Sequence, residues 1–543
     1  MKSIKSLLVK SLPYVLFAIV VSCSESRIDE NNLEISSNVQ EFTELDNLLQ
    51  GINTSEILIV QKNGSIQQAL NQASEGGLIY IEPGIYKEVL DISKKDIKLI
   101  GIQRNGEQVY LENPGSENAP FIRNNSKDVE MCNIKFKDYP GNQYGYKKYM
   151  PSMHSLKSVI KNFSRKELGD GIAHYEFEIM MDTGVYDVVK IHRVVKEFWP
   201  YRPVKTQGNI FMVHGAIQDF DDIFLTAGAE LINSETSAPY FLATQGIDVW
   251  GIDLGWTRVP LENDNYNFMS GWGIEKDVIH TLKAMTVARL IRGKTGSGFG
   301  PMNLLGFSYG VNVAYGAAGR ETNTHPLLRN VKGIIPVDYQ IKSNDEAVQQ
   351  NNCVLAENHL TKINEGQYHN PYGVGLIQLG SMALNDPDAL SVVPGFEGLT
   401  NMQMINAIAT DHSSGFHYLG GTPFELYYTE SIRFIRLCAA LSPHMPRQLF
   451  YEMCACDCPD MDVSFDDNLS KIKIPIFNIS SQGGEGALGD FTSTLTKSKE
   501  ITYLNIDDPE KPTELDFGHA DLWMGYSAAK LVWEPLKNWL IVH

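Results

Sequence analysis

The most reactive pattern in the chain is Gly306-Phe307-Ser308-Tyr309-Gly310, with a single serine between two glycines. An apolar run, Met302–Phe307, leads into it, and Val311–Ala318, rich in small residues, follows as a predicted helix. A strand that turns at once into a helix forces its pivot residue into an unfavourable backbone conformation. Gly306 and Gly310 give that turn room and lift the Ser308 hydroxyl clear of the sheet. A serine hydroxyl is a weak nucleophile until a base within hydrogen-bond reach takes its proton and a third group orients that base. The expected chemistry is acyl transfer through an acyl-serine, with the base to be found among thirteen histidines.

The elements that must position these residues form two rhythms. From about 146 onward, apolar runs alternate with helical segments. Tyr175–Met181 and Val185–Lys196 flank Asp182-Thr183-Gly184 as a hairpin. Gly208–Val213, Val249–Asp253, Met302–Phe307, Val331–Val337, Ile474–Ile479 and Ile501–Ile506 read as strands, and Ile274–Arg292 as a helix. This alternation predicts an α/β fold with a mostly parallel sheet and an antiparallel edge. Residues 343–470, rich in aromatics, Met and Asn, interrupt it.

Residues 54–145 follow the other rhythm. A short helix, Ser65–Ala73, precedes short alternating strands at Gly76–Ile81, Pro83–Tyr86, Val89–Ile92 and Ile97–Gly101, with a further one near Asp128–Phe136. Such spacing predicts stacked coils.

The Gly-x-Ser-x-Gly segment resembles the nucleophile elbow of the α/β-hydrolase fold. In that fold the chain order is serine, acid, histidine. His519 then falls where the base belongs, and Asp516-Phe517-Gly518-His519-Ala520-Asp521 with Gly525 resembles the histidine segment of the gastric and lysosomal acid lipases. Asp521 reads as structural, near a helix N-terminus. Phe211–Ala216 resembles the oxyanion loop of the same lipases, which makes Ala216 and Tyr309 the expected N–H donors to the oxyanion. Leu242–Trp250 resembles their Gly-Tyr-Asp-Val-Trp strand. The elbow itself departs from their Gly-His-Ser-Gln-Gly, so lipid triester specificity does not carry over. By the same resemblance, 343–470 is a cap between strands six and seven.

Three carboxylates compete for the third role. In this fold the acid follows the seventh strand, where the chain reads Ser480–Asp490 and the expected position falls on or near Gly484. Glu485 lies one residue on and Asp490 further away. Some members take the acid from the end of the sixth strand, where Asp338 ends Gly333–Val337. Asp338 is preferred, then Glu485, then Asp490, because a buried strand rarely finishes on an unpaired charge.

The 54–145 segment is similar to the opening of a right-handed parallel β-helix of the pectin-lyase-like group. It is too short for that group's catalytic groove and is expected to serve as a cap, spacer or glycan-binding module. The first residues resemble a bacterial lipoprotein signal. Lys2 and Lys5 precede the apolar run Tyr14–Val21, too short for a membrane span, and Val20–Cys23 matches a lipobox. The resemblance implies a signal at 1–22, a lipid on Cys23, a polar tether over 23–53, and an extracytoplasmic protein held at a bacterial membrane, the outer one by expectation.

The 543 residues carry 46 basic and 65 acidic side chains, a net charge of −19, which argues against nucleic acid as a partner. An apolar fraction of 43% with 20% charge is that of a folded globular protein. Cys132, Cys353, Cys438, Cys454, Cys456 and Cys458 lack the spacing of structural zinc sites and read as disulfides or buried thiols. Asp411-His412 and His417 lack a third ligand at helical spacing, and no metal or other cofactor is expected. The expected substrate is an ester, of a lipid or an acylated glycan. The alternative is a surface binding protein that keeps the fold without turnover.

Overall fold

The computed structural model describes residues 160–543 apart from 201, 325, 414–415 and 486–488. Before them it describes 57–101 apart from 75–76 and 94–96, and the stretches 109–112, 114, 122–124, 130–132, 134–137 and 146–148. The expected signal at 1–22 and the whole tether at 23–53, Cys23 included, lie outside these. The chain divides into two compact units, with the boundary in the sequence between 161 and 162.

In the smaller unit, short strands fall into three ladders. Ile57–Val60, Leu78–Ile81, Lys98–Gly101 and Glu130–Cys132 pair in parallel in the first. Gly84–Lys87, Val109–Glu112 and Ile134–Lys137 make the second, and Leu90–Ile92 with Ile122–Asn124 the third. From Leu78 the chain visits the ladders in the same order twice and then returns to the first two. Tyr146–Lys148 closes the first ladder, antiparallel to Ile57–Val60. Leu58, Val60, Ile79, Ile81, Tyr86, Leu90, Ile92, Leu99, Val109 and Leu111 bury their side chains together. The helix Ile66–Gln72 starts where Ser65 caps it, accepting from Gln68 N.

The larger unit is built on a mixed, largely parallel sheet. Its strands are β1 (Ile160–Gly169), β2 (Ile172–Met180), β3 (Val188–Trp199), β4 (Gly208–Val213), β5 (Ile247–Asp253), β6 (Met302–Phe307), β7 (Val331–Val337), β8 (Ile476–Ser481) and β9 (Ile501–Ile506). Their spatial order is β1-β2-β3-β5-β4-β6-β7-β8-β9. β2 and β3 form the expected antiparallel hairpin, and β3 is also antiparallel to β5. From β5 to β9 every pairing is parallel. The order reverses between β5, β4 and β6, and such a reversal leaves a crevice at the carboxyl ends of the strands. β5, β6 and β7 are buried almost throughout, as parallel strands covered on both faces must be.

Helices α1 (Ala238–Thr244), α2 (Ile274–Lys294) and α3 (Gly310–Glu321) make the crossovers. Between β7 and β8 the chain leaves the sheet for α4 (Glu346–Asn364), α5 (Tyr372–Asn385), α6 (Asn401–Ala409), α7 (Ser431–Ala440) and α8 (Arg447–Ala455); α9 (Glu534–Val542) ends the chain. Cys353 on α4 is bonded to Cys458 beyond α8, with the Cα atoms 4.9 Å apart, while Cys438, Cys454 and Cys456 are free thiols. The aspartate of the Asp-Val-Trp stretch, Asp248 on β5, is fully buried between two guanidinium groups. Arg193 on β3 meets it through Nε at 2.8 Å and Nη2 at 3.0 Å, and Arg292 on α2 through Nε at 3.0 Å. No helix among the described residues is long and apolar enough to cross a membrane.

Candidate active site

Ser308 follows β6 directly and takes φ 53°, a left-handed conformation that costs a non-glycine residue about 1–3 kcal/mol. The two glycines that bracket it are required by space. A Cβ on Gly306 would lie 2.1 Å from Gly310 O, and one on Gly310 would lie 2.4 Å from Val213 O. The end of β4 and the serine turn are therefore pressed together. Gly215 brings the next loop equally close, since a Cβ there would stand 3.1 Å from Ser308 Cβ. Ala216 follows at once, so its backbone passes beside the serine.

Two side chains fix these loops. His214 is buried and accepts from Leu254 N at Nε2, so its Nδ1 carries the hydrogen and donates to Gly215 O at 2.8 Å. Burial lowers its pKa to about 4, and the ring stays neutral. Tyr309, the residue after the serine, donates its hydroxyl to Asp277 Oδ2 at 2.7 Å. Asp277 also accepts from the indoles of Trp256 and Trp272. Neither Ala216 N nor Tyr309 N donates to an acceptor among the described residues.

His519 lies after β9, buried, with its ring stacked on Phe307 at 4.5 Å between centroids. Its Nδ1 is 2.7 Å from Asp338 Oδ2. A carboxylate can only accept, so Nδ1 carries the hydrogen and Nε2 the lone pair. Asp338 itself is fully buried and takes φ 51° at the end of β7. It also accepts from Ser481 N at 2.8 Å, Ser481 Oγ at 3.0 Å and Glu485 N at 3.2 Å. Four donors on one carboxylate hold it in a fixed orientation.

The structure thus brings Asp338 to His519 and leaves the other two carboxylates elsewhere. Glu485 contributes its backbone N–H to Asp338. Its own carboxyl has its pKa pushed up to about 8, by burial first and then by the Asp338 charge. Asp490 starts the short helix Asp490–Thr494 and accepts from Asn478 Nδ2 at 2.6 Å. Gly484, where the acid of a seventh strand would fall, is glycine for a reason of space. A Cβ there would lie 2.0 Å from Asp338 Oδ2, because the carboxylate from the neighbouring strand already fills the position.

Sequence reasoning missed the strap over His519. Residues 416–420, about a hundred positions upstream, run against 516–520. His519 N donates to His417 O at 3.0 Å and Ala520 N to Tyr418 O at 2.8 Å. Phe416 and Tyr418 meet the His519 ring in T-shaped contacts. His417 Nε2 donates to Asp516 O at 2.8 Å, which ties the strap to the segment before His519. The only signal in the sequence was glycine: a Cβ on Gly518 would strike Leu419 N at 2.6 Å, and one on Gly483 the His417 ring at 2.3 Å. Asp521 accepts from Gly518 N, Gly420 N and Thr429 Oγ1, which makes it the buckle between the two segments.

A scan of protein families finds no match for the sequence, and a search of curated proteins finds none either. Solved structures do match by shape. A lipase candidate from Sulfolobus solfataricus aligns over 70% of this chain and 99% of its own, at 17% identity and a TM-score of 0.48. A thermophilic esterase from Thermogutta terrifontis covers 67% of this chain and 97% of its own, at 14% identity and a TM-score of 0.34. The epoxide hydrolase CorEH covers 67% and 96%, at 11% identity and a TM-score of 0.35. These likenesses are distant, and the chemistry rests on the residues of the site.

Proposed function

We propose that the chain is a serine hydrolase of the α/β-hydrolase superfamily that cleaves carboxylic esters through an acyl-enzyme. The observation that carries this reading is the Asp338–His519 pair at 2.7 Å, on a ring stacked against the residue before Ser308. Ser308 Oγ attacks the ester carbonyl as His519 Nε2 takes its proton, and Asp338 steadies the imidazolium that forms. The N–H groups of Ala216 and Tyr309 receive the oxyanion. His519 then returns the proton to the departing alcohol as the ester C–O bond breaks, and water repeats the sequence in reverse to free the acid and Ser308. The aspartate nucleophile of epoxide hydrolases has no counterpart at position 308.

In this reading the segment 343–470 is a cap whose Phe416 and Tyr418 roof the base, and the three ladders of the smaller unit are the coils of a short β-helix without catalytic duty. Cys23 carries a lipid after removal of 1–22, the tether spans 23–53, and the enzyme works outside the cytoplasm on an ester of a lipid or an acylated glycan. A screen of p-nitrophenyl esters of increasing chain length, beside acetylated and feruloylated glycans, tests the activity. Turnover of at least one class by wild type, absent in Ser308→Ala, supports it. Equal rates for the two proteins, or none for any ester, overturn it.

A further inference from the structure

Away from the serine, β2, β3 and the segment after the oxyanion loop converge on a second polar cluster. His174 on β2 and His192 on β3 are 5% and 0% exposed. Their rings lie end to end and nearly coplanar, with centroids 5.2 Å apart, and His174 Nε2 faces His192 Nδ1 across a 2.9 Å hydrogen bond. Asp221 Oδ1 comes from the 221–226 turn to 3.7 Å from the first nitrogen and 3.6 Å from the second. That oxygen is buried and has no hydrogen-bond partner among the described residues. Glu176 completes a set in which the four candidate ligand atoms all lie within 4.8 Å of one another.

We propose that His174 Nε2, His192 Nδ1 and Asp221 Oδ1, with Glu176 beside them, bind one divalent first-row transition metal, zinc by the donor set. Two imidazole nitrogens and a carboxylate oxygen are borderline ligands suited to zinc and unsuited to calcium or magnesium. Nitrogens held 2.0–2.1 Å from one ion in a tetrahedral or octahedral shell stand about 2.9–3.4 Å apart; the two nitrogens stand at the short end of that range, and binding turns each ring so that its lone pair leaves its neighbour and meets the ion. Around His192 the surroundings offer the second layer that metal-bound histidines need. Asp253 Oδ1 lies 2.9 Å from His192 Nε2, so a carboxylate backs the ring on the side away from His174. Asp253 Oδ1 also accepts from Phe220 N, and Phe220 stacks on the His192 ring at 4.5 Å. Glu176 is shared with Lys190 Nζ at 2.9 Å and Ser164 Oγ at 2.8 Å, so it is the weakest member of the set.

Charge points the same way. Glu176, Asp221 and Asp253 approach the two imidazoles, Asp219 and Asp222 lie beside Asp221 and Asp253, and Lys190 sits between Glu176 and Asp253. Crowding such an excess of carboxylates is costly unless protons or a cation neutralise part of the charge. The ion would tie the β2–β3 hairpin to the stretch just beyond Ala216. The sequence held no sign of this, because the ligands come from three separate elements without a short spacing between them.

Titration of the full, chelator-stripped protein with Co²⁺, read by visible d–d absorption, tests the site without reference to activity. Wild type should take up a single equivalent with the spectrum of a nitrogen- and oxygen-ligated ion, and Zn²⁺ should displace it and raise the unfolding temperature. Asp253→Asn, which keeps an acceptor for Phe220 N, should weaken binding about 10–100-fold. His174→Gln and Asp221→Asn should abolish the d–d bands; where His174→Gln fails to fold by circular dichroism, Asp221→Asn decides. Folded wild type that takes up no cobalt, or binding unchanged in Asp221→Asn, overturns the proposal.

Discussion

Ser308 and Asp338 leave neighbouring parallel strands in the same way, each turning through left-handed backbone, at φ 53° and 51°. The two turns are linked in a stair. Ser308 N donates to Val337 O at 3.0 Å, and Asp338 N donates to Ile479 O at 2.7 Å. The serine is thus hung from the strand that ends in the carboxylate, and the carboxylate from the strand that supplies Ser481. Strain of this kind persists only where the surrounding structure over-determines it, and it clusters at functional sites. Two such turns side by side make the relative position of nucleophile and acid a property of the sheet.

Asp338→Asn should lower kcat by about 10⁴-fold, because the amide favours the wrong imidazole tautomer and cannot balance an imidazolium. Glu485→Gln should leave kcat close to wild type at pH 7. With its pKa pushed up to about 8, Glu485 is already neutral there, and glutamine keeps the backbone N–H that reaches Asp338. Steady-state kinetics on the best ester found distinguish the two. A large loss in Glu485→Gln would move the acid to that residue.

Asp277 holds the Tyr309 hydroxyl, and burial raises its pKa from 3.8 to about 6. A carboxyl with a raised pKa in the folded state binds its proton more tightly there than in the unfolded chain. Its contribution is therefore most favourable below about pH 4, declines as pH rises to about 6 and is flat above that. The unfolding free energy of wild type, measured against that of Asp277→Asn, should fall by about 3 kcal/mol across this window. Urea unfolding of both proteins between pH 4 and 7 checks it; parallel curves would show that Asp277 is charged throughout.

The Cys353–Cys458 bond closes a loop of 105 residues. A cross-link over that length restricts the unfolded chain by about 4–5 kcal/mol in the chain-entropy picture. Cys353→Ser should lower the unfolding free energy by up to that amount, and a reducing agent should do the same to wild type and nothing further to the variant. Calorimetry with and without reductant reads both.

Much of this was legible in the sequence wherever burial imposed a pattern. The fully buried β6 and β7 appear as continuous apolar runs, and the β2–β3 hairpin as alternation around Asp182-Thr183-Gly184. Strand β1 was not legible. It lies at the sheet edge with Lys161, Lys166 and Glu167 exposed, so no apolar alternation marks it. Ser308 and His519 stood out because their neighbours are constrained by close packing. Choosing Asp338 over Glu485 required geometry, since Gly484 reads as a missing acid until the carboxylate that fills its space is seen. The strap of Phe416 and Tyr418 and the Asp277 anchor depend on contacts across about 30 to 100 residues, beyond the reach of local spacing.

The central claim is that Ser308 is an activated nucleophile. Incubating the purified protein with a fluorophosphonate probe and mapping the adduct by peptide mass spectrometry tests it most directly. The account predicts one adduct per chain, on Ser308, absent from Ser308→Ala and strongly slowed in His519→Ala. Failure of folded wild type to label, or equal labelling of Ser308→Ala, would contradict it.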